Sequence, residues 1–393
     1  MSSHWALSID FGTSNTSAAH TNPFKGTVEP ATLSDDHHSM ASSVLVSNTG
    51  AISAGPVALA NAEGFPEGFI RSPKRLIGQD TAWLGGGQVA VQSMVSEVFR
   101  ETIRRASRAH NNLPPRYLVV THPEVWSPDE IAVLKKAAAD AGMPPNAVAT
   151  LSEPKAAIAH YTQDRALVPG QKIAVFDIGG GTLDIAVLNC RAPGAYDVLA
   201  AEGDGSIGGR SFDQLLRRWL ERHLDEDEPD VLDALRRHAT FDEQRKLEQR
   251  ITDAKELLSD TDRAVIPVDV DGKSHRVQIT RGEFEDLISP SVDRAVGLAR
   301  AALAQAGLTP HDLHALYLTG GTSRVPLLQE KLKDIGPVAQ LDNPKTVVCQ
   351  GALVSLIAAV EARRAHEPVK TSGPRRAAHP QPQRVVSPRR RRT

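Results

Sequence analysis

One short pattern occurs twice, and it constrains the fold more than any other feature of the chain. Ile9-Asp10-Phe11-Gly12-Thr13 and Phe176-Asp177-Ile178-Gly179-Gly180 both read apolar–Asp–apolar–Gly behind an apolar run, nearly half the chain apart. Chance similarity between two hairpins is the plain alternative. The aspartates argue for two similar lobes, each offering a hairpin turn to one ligand in a central cleft. Turns such as Gly12-Thr13-Ser14-Asn15 and Gly179-Gly180-Gly181-Thr182 can aim successive backbone N–H groups at one point and so form an anion nest. A carboxylate beside such a turn needs a cation to be tolerable. Asp10 and Asp177 would hold Mg²⁺, through water, because Mg²⁺ sheds its hydration reluctantly.

Composition supports a large globule. Hydrophobic residues make up 40% of the 393 and charged residues 23%, which excludes a mainly disordered or collagen-like chain. The net charge of −2 hides a split: residues 363–393 carry ten basic residues and one acid, Glu367. That is a local +9, leaving −11 on residues 1–362. The expectation is an acidic two-lobed domain over 1–362 (lobe I about 1–170, lobe II about 171–362) and a disordered basic tail over 363–393. The tail suits a polyanion: nucleic acid, anionic lipid headgroups or an acidic protein face. Cys190 and Cys349 have no ligand-like spacing, so a disulfide scaffold or zinc site is not expected and a cytoplasmic setting fits. The N-terminus lacks a basic n-region and does not read as a signal peptide. The longest apolar stretch, Thr346 to Val360, is shorter than the ~20 residues of a membrane helix and reads as a core helix.

Strand-like runs end at glycine-rich turns at Trp5–Ile9, Ile173–Phe176 and Ala315–Leu318. Helical spacing covers Ser93–His110, Asp129–Ala141, Ser211–His223 and Phe241–Leu258, and Arg263–Ile279 alternates as a hairpin turning at Asp271-Gly272. Gly203-x-Gly205-x-x-Gly208 matches a dinucleotide fingerprint, but helix rather than a second parallel strand follows it, so the Rossmann reading is rejected. No GxxxxGK[ST] or HExxH occurs.

Ile9 to Asn15 resembles the first phosphate loop of the actin-like ATPases, and Phe176 to Ala186 resembles the second. Leu318-Thr319-Gly320-Gly321-Thr322-Ser323-Arg324-Val325-Pro326 is similar to their adenosine loop. Lys74-Arg75-Leu76-Ile77-Gly78, Ser152-Glu153-Pro154 with Ala156-Ala157, Gly208-Gly209 with Phe212-Asp213, and Ala254-Lys255 with Ser259 narrow the resemblance to the seventy-kilodalton heat-shock chaperones. The match runs in the family's order from about residue 4 to 360.

The resemblance implies an α/β fold of two lobes around a nucleotide cleft, binding ATP or ADP with Mg²⁺. Lys74 would contact the γ-phosphate and attacking water, Glu153 and Asp177 would position or deprotonate that water, and Thr182 would touch the γ-phosphate. Asp10 would order the Mg²⁺ shell. The glycine turns, including Gly180, Gly181, Gly208 and Gly209, would cradle phosphate. Lys255, Ser259 and Arg324 would frame the adenosine, with Gly320, Gly321 and Thr322 close to the base.

The sequence also departs from the family. Thr252 stands where a ribose-contacting glutamate is usual, and Gly208-Gly209-Arg210 replaces Gly-Gly-Glu. Ile131, after the apparent switch proline Pro123, replaces an arginine that couples the lobes to a peptide-binding domain. The stretch between Gly78 and Ser93 is shorter than the family's. After Arg363, Pro, Arg and Ser stand in place of the leucine- and aspartate-rich linker, and from ~30 polar residues no client-binding domain is expected. The expected activity is slow ATP hydrolysis by a chaperone-like nucleotide-binding domain whose state an unidentified protein partner reads. The alternatives are a nucleotide-gated adaptor with vestigial hydrolysis, an actin-like filament protein, or a small-molecule kinase on the same fold.

Overall fold

The two repeated hairpins each sit inside a sheet, and each sheet extends by a parallel strand on the same side. In the computed structural model, which describes residues 5–35, 37–163, 166–339 and 343–366, strand Ala6–Phe11 pairs antiparallel with Asn15–Thr21. On its other edge it pairs parallel with Tyr117–His122, which pairs parallel with Val148–Ser152. In the second sheet Lys172–Ile178 pairs antiparallel with Leu183–Ala192 and parallel with Leu313–Thr319, and Ala195–Asp204 completes the far edge. The central strands are buried almost continuously, as both-face packing requires.

Each lobe has its own core. Phe11, Met94, Phe99, Leu118 and Leu134 fill the first, Phe176, Phe212, Leu220, Ile266 and Ile288 the second. Between the sheets lies a third cluster that includes Val119, Ala157, Val175, Ala315 and Val348. Helices Glu153–Tyr161 and Val347–His366 pack against each other there. Gly351 makes this crossing possible, since a Cβ at that position would stand 1.8 Å from the Ala156 carbonyl oxygen.

Local chemistry sets the element ends. Ser127 with Glu130 and Thr240 with Glu243 form capping boxes at helices Pro128–Asp140 and Phe241–Leu257. Hairpin Arg263–Val270 with Lys273–Thr280 turns at Asp271-Gly272, with φ of 50° and 70°, the left-handed pair of a two-residue turn.

Several elements differ from the sequence expectation in extent. The helix expected over Ser93–His110 runs Val91–Ala106 and tightens into a 3₁₀ turn over Ser107–His110. Gly209–Asp227 is longer than the expected Ser211–His223, and a separate helix, Pro229–Arg237, opens at a proline the helical spacing did not resolve. The shortened stretch after Gly78 is a hairpin of Thr81–Leu84 and Gly87–Ala90. Gly203 lies within Ala195–Asp204, an antiparallel partner, so the glycine run there has no βαβ context. The last helix continues to His366, past the boundary expected at residue 362. Residues 367–393, the remainder of the expected tail, lie outside the described residues, as does any contact they make.

Candidate functional site

The strand ends of both sheets open onto one cavity of about 720 Å³ between the lobes. Its floor is the pair of hairpin turns. Gly12, Thr13, Ser14 and Asn15 line it from one side, Gly180, Gly181 and Thr182 from the other. The turns touch. A Cβ at Gly180 would lie 2.2 Å from Ser14 Oγ, and one at Gly181 2.3 Å from Thr13 Cγ2, so only glycine lets the lobes meet here. Ser14 Oγ is buried and has no hydrogen-bond partner, a polar atom aimed into a site made for a polar guest.

Around the floor stand four carboxyl groups and one ammonium. Asp10 is the penultimate residue of its strand and accepts a hydrogen bond from Thr121 Oγ1 at 2.9 Å and a longer one from Ser17 Oγ at 3.4 Å. Asp177 occupies the matching place in the second hairpin, where the residue directly opposite is Asp184. Glu153 begins its helix at the mouth of the first sheet. Lys74, from the 3₁₀ turn Pro73–Leu76, is buried and donates to Glu153 Oε1 at 2.9 Å, with its Nζ 5.4 Å above the Trp126 ring.

The electrostatics follow from burial and crowding. Burial, then the charge of Glu153, pushes Asp10 up to about 6, with Lys74 and the two hydroxyls opposing. Asp184 is pushed up to about 6 by the same pair of causes. Asp177 is raised well above the carboxylate range by burial and by Glu153, Asp184 and Asp10 together. Burial weakens the charge on Lys74, but Glu153 and Asp10 more than compensate and its value rises. At the floor itself, buried carboxyl groups thus crowd around a single ammonium. Among the described residues no three His, Cys, Asp or Glu side chains converge as direct ligands of one ion.

Most of the residues expected to frame an adenosine also line the cavity. Lys255 lines the cavity, but its Nζ is 2.7 Å from Asp213 Oδ1 and donates to the Gly209 carbonyl at 3.1 Å. Ser259, Gly209, Gly320, Gly321 and Thr322 also line it, Thr322 Oγ1 donating to the Gly179 carbonyl. Two residues expected at the site stand outside its lining. Gly208 packs behind Gly181, and Arg324 pairs with Asp260 on the surface.

Other lining residues escaped the sequence reading, chiefly Asp184, Arg71 and the ion pair of Glu256 with Lys345. Asp184 had a signal: it stands seven residues after Asp177, as Ser17 does after Asp10, the span of one hairpin. The others depend on distant elements meeting and left none.

A family model described as Hsp70 protein matches residues 85–367. The chain belongs to the Hsp70 family. Its fold is the actin-like ATPase fold of that family, with two similar lobes about a cleft. The chain is 31% identical over 386 residues to the chaperone protein HscA homolog of Acidithiobacillus ferrooxidans, covering 91% of this chain and 59% of that protein. It is 30% identical over 359 residues to the chaperone protein DnaK of Methanothermobacter thermautotrophicus, with 88% and 59% covered. For DnaK of Elusimicrobium minutum the identity is 28% over 362 residues, with 88% and 56% covered. The chain therefore spans somewhat over half the length of these curated relatives. No helix among the described residues is long and apolar enough to cross a membrane.

Proposed function

We propose that the chain is a chaperone-type nucleotide-binding domain that binds ATP with Mg²⁺ between its lobes and hydrolyses it slowly, in the cytoplasm, with a protein partner reading the nucleotide state. The observation that carries this reading is the buried Lys74–Glu153 pair, set where both aspartate-bearing hairpins converge. The residues fit the guest: two glycine turns meet at a buried, unpartnered hydroxyl, and four carboxyl groups face one ammonium. When bound, Mg²⁺ supplies positive charge to the phosphate oxygens, and Asp10 and Asp177 are the side chains that would hold its water shell. The chain's own contribution is positioning and charge. Thr13, Ser14, Gly181 and Thr182 offer donors to phosphate. Lys74 places an ammonium toward the terminal phosphate, and Glu153 keeps it there. Asp177, its proton affinity raised, is suited to accept a proton from an attacking water.

Lys74→Ala tests the proposal. It should retain MgATP binding by calorimetry and lose ~10²–10³ of the hydrolysis rate, the cost of removing a contact made mainly in the transition state. Loss of binding with unchanged residual turnover would overturn it. Ile131 stands where the family's coupling arginine stands, so added leucine-rich peptide should leave turnover unchanged.

Thr252 and the outward-turned Arg324 favour a second reading, a nucleotide-gated adaptor with vestigial hydrolysis. Single-turnover kinetics separate the two. A nucleotide that binds, changes partner retention and is never cleaved would establish the adaptor.

A further inference from the structure

Three arginines gather at the phosphate end of the cleft, and among the described residues only Arg71 has an ion-pair partner. Arg71 lines the cavity and pairs across the lobes with Glu248. Arg210, on the opposite lobe, also lines it, and its guanidinium donates to the hydroxyl of Ser72, whose own Oγ donates to the Thr13 carbonyl of the first turn at 2.7 Å. Arg75 stands behind, donating to the Gly181 carbonyl of the second turn at 3.1 Å. Neither Arg75 nor Arg210 makes an ion pair among the described residues.

Arg210 is the costly member. Partly buried, it is pushed down to about 10 by desolvation and by the charges of Arg71 and Arg75, with Asp213 and Glu248 opposing. A guanidinium so placed, with Asp213 and Glu248 near it but no carboxylate in contact, is destabilising unless an anion completes it. Its backbone ties it to the nest as well: Arg210 N donates to the Gly180 carbonyl at 2.8 Å. It occupies the first turn of helix Gly209–Asp227, whose positive end adds to the same field. The guanidinium fork matches a tetrahedral oxyanion geometrically.

We propose that Arg210, supported by Arg71 and Arg75, is a phosphate-binding group, and that its ligand is a phosphate dianion: the terminal phosphate of a bound nucleotide or free inorganic phosphate. The nucleotide arm rests on the function proposed above; the inorganic phosphate arm does not. In this chain a cation thus holds the terminal phosphate from a position that the family's glutamate would leave negative. Inorganic phosphate, once formed, should leave slowly against three positive charges.

The experiment uses the full chain and two variants, Arg210→Gln and Arg210→Lys. Inorganic phosphate alone is titrated while the melting temperature is followed, and ATP and ADP are titrated by calorimetry with Mg²⁺. Wild type should be stabilised by phosphate, Arg210→Gln should not, and Arg210→Lys should be partly rescued. Arg210→Gln should also lose on the order of tenfold or more in ATP affinity, as for a charge-assisted hydrogen bond, with ADP changed by less than about twofold. If Arg210→Gln responds to phosphate and to ATP as wild type does, Arg210 is only an inter-lobe clasp and the proposal fails. A phosphate response that depends on Arg210 in a protein that binds neither ATP nor ADP would leave this site standing and remove the nucleotide reading instead. Melting of the unliganded variants, expected within a few degrees of wild type, separates lost binding from lost folding, and Arg210→Lys reports the site should Arg210→Gln fail to fold.

Discussion

The two hairpins share a backbone plan and differ in what faces their aspartates. In the first, Asp10 looks across the ladder at Ser17 and leans on Thr121, so hydroxyls carry part of its charge. In the second, Asp177 looks at Asp184, a carboxyl facing a carboxyl. The first carboxyl is therefore cushioned by neutral donors and the second is crowded by charge. On the function proposed above, the duplicated architecture would divide two tasks: the first hairpin would anchor, and the second would hold the group that takes up a proton.

The strongest way to break this comparison is to neutralise each aspartate in turn. Asp177→Asn should cost at least ~10² in hydrolysis, on the scale of a lost general base, and Asp10→Asn less, with its effect mainly on the Mg²⁺ dependence of binding. Equal losses in single-turnover rate would show that the hairpins do not divide the work.

Crowding itself is tested by Asp184→Asn. The variant removes a carboxyl that burial has lifted to about 6, so the unliganded protein should gain on the order of 1–3 kcal/mol at pH 8 in urea unfolding. Ser17→Asp, which copies the second hairpin into the first, should move stability the other way. A neutral Ser17→Asp would mean that the first site has more room for charge than its burial indicates.

The same asymmetry sets a pH dependence. Asp10 and Asp184 both lie near 6 when folded, above the ordinary 3.8, so the folded chain holds protons that the unfolded chain has released. Their contribution to stability is complete below about pH 4 and is lost as pH rises through about 6. Without nucleotide, the melting temperature should fall over that window, and Asp184→Asn should flatten the fall. The smallest effect belongs to Thr121→Val, which removes the 2.9 Å donor to Asp10 and should cost about 1 kcal/mol above pH 7.

The hairpins were legible because their chemistry is local: an aspartate ending a strand, then glycines, written twice within a few residues. Asp184 was legible only through symmetry, since its importance comes from the ladder that sets it opposite Asp177. Lys74 and Glu153 were read through family resemblance, and their pairing closes a separation of 79 residues that no spacing rule supplies. Arg324 shows the converse. It was read as a nucleoside contact from its motif alone, and its pairing with Asp260, 64 residues away, left no signal in the sequence. The meeting of Arg71, Arg75 and Arg210 was equally out of reach, because it depends on how the lobes close. Arg210 registered only as a departure from the family's glutamate.

The ammonium of Lys74 above the indole of Trp126 gives the protein a built-in optical probe. The chain has four tryptophans, and of the others Trp5 is stacked on His110, Trp219 on His223, and Trp83 is exposed on its hairpin. Emission from Trp126 is sensitive to where the neighbouring positive charge sits. An anion that draws Lys74 away from the ring will change its colour and intensity, and Trp126→Phe will silence that signal. Lys74 occupancy can thus be followed in real time in the unlabelled protein.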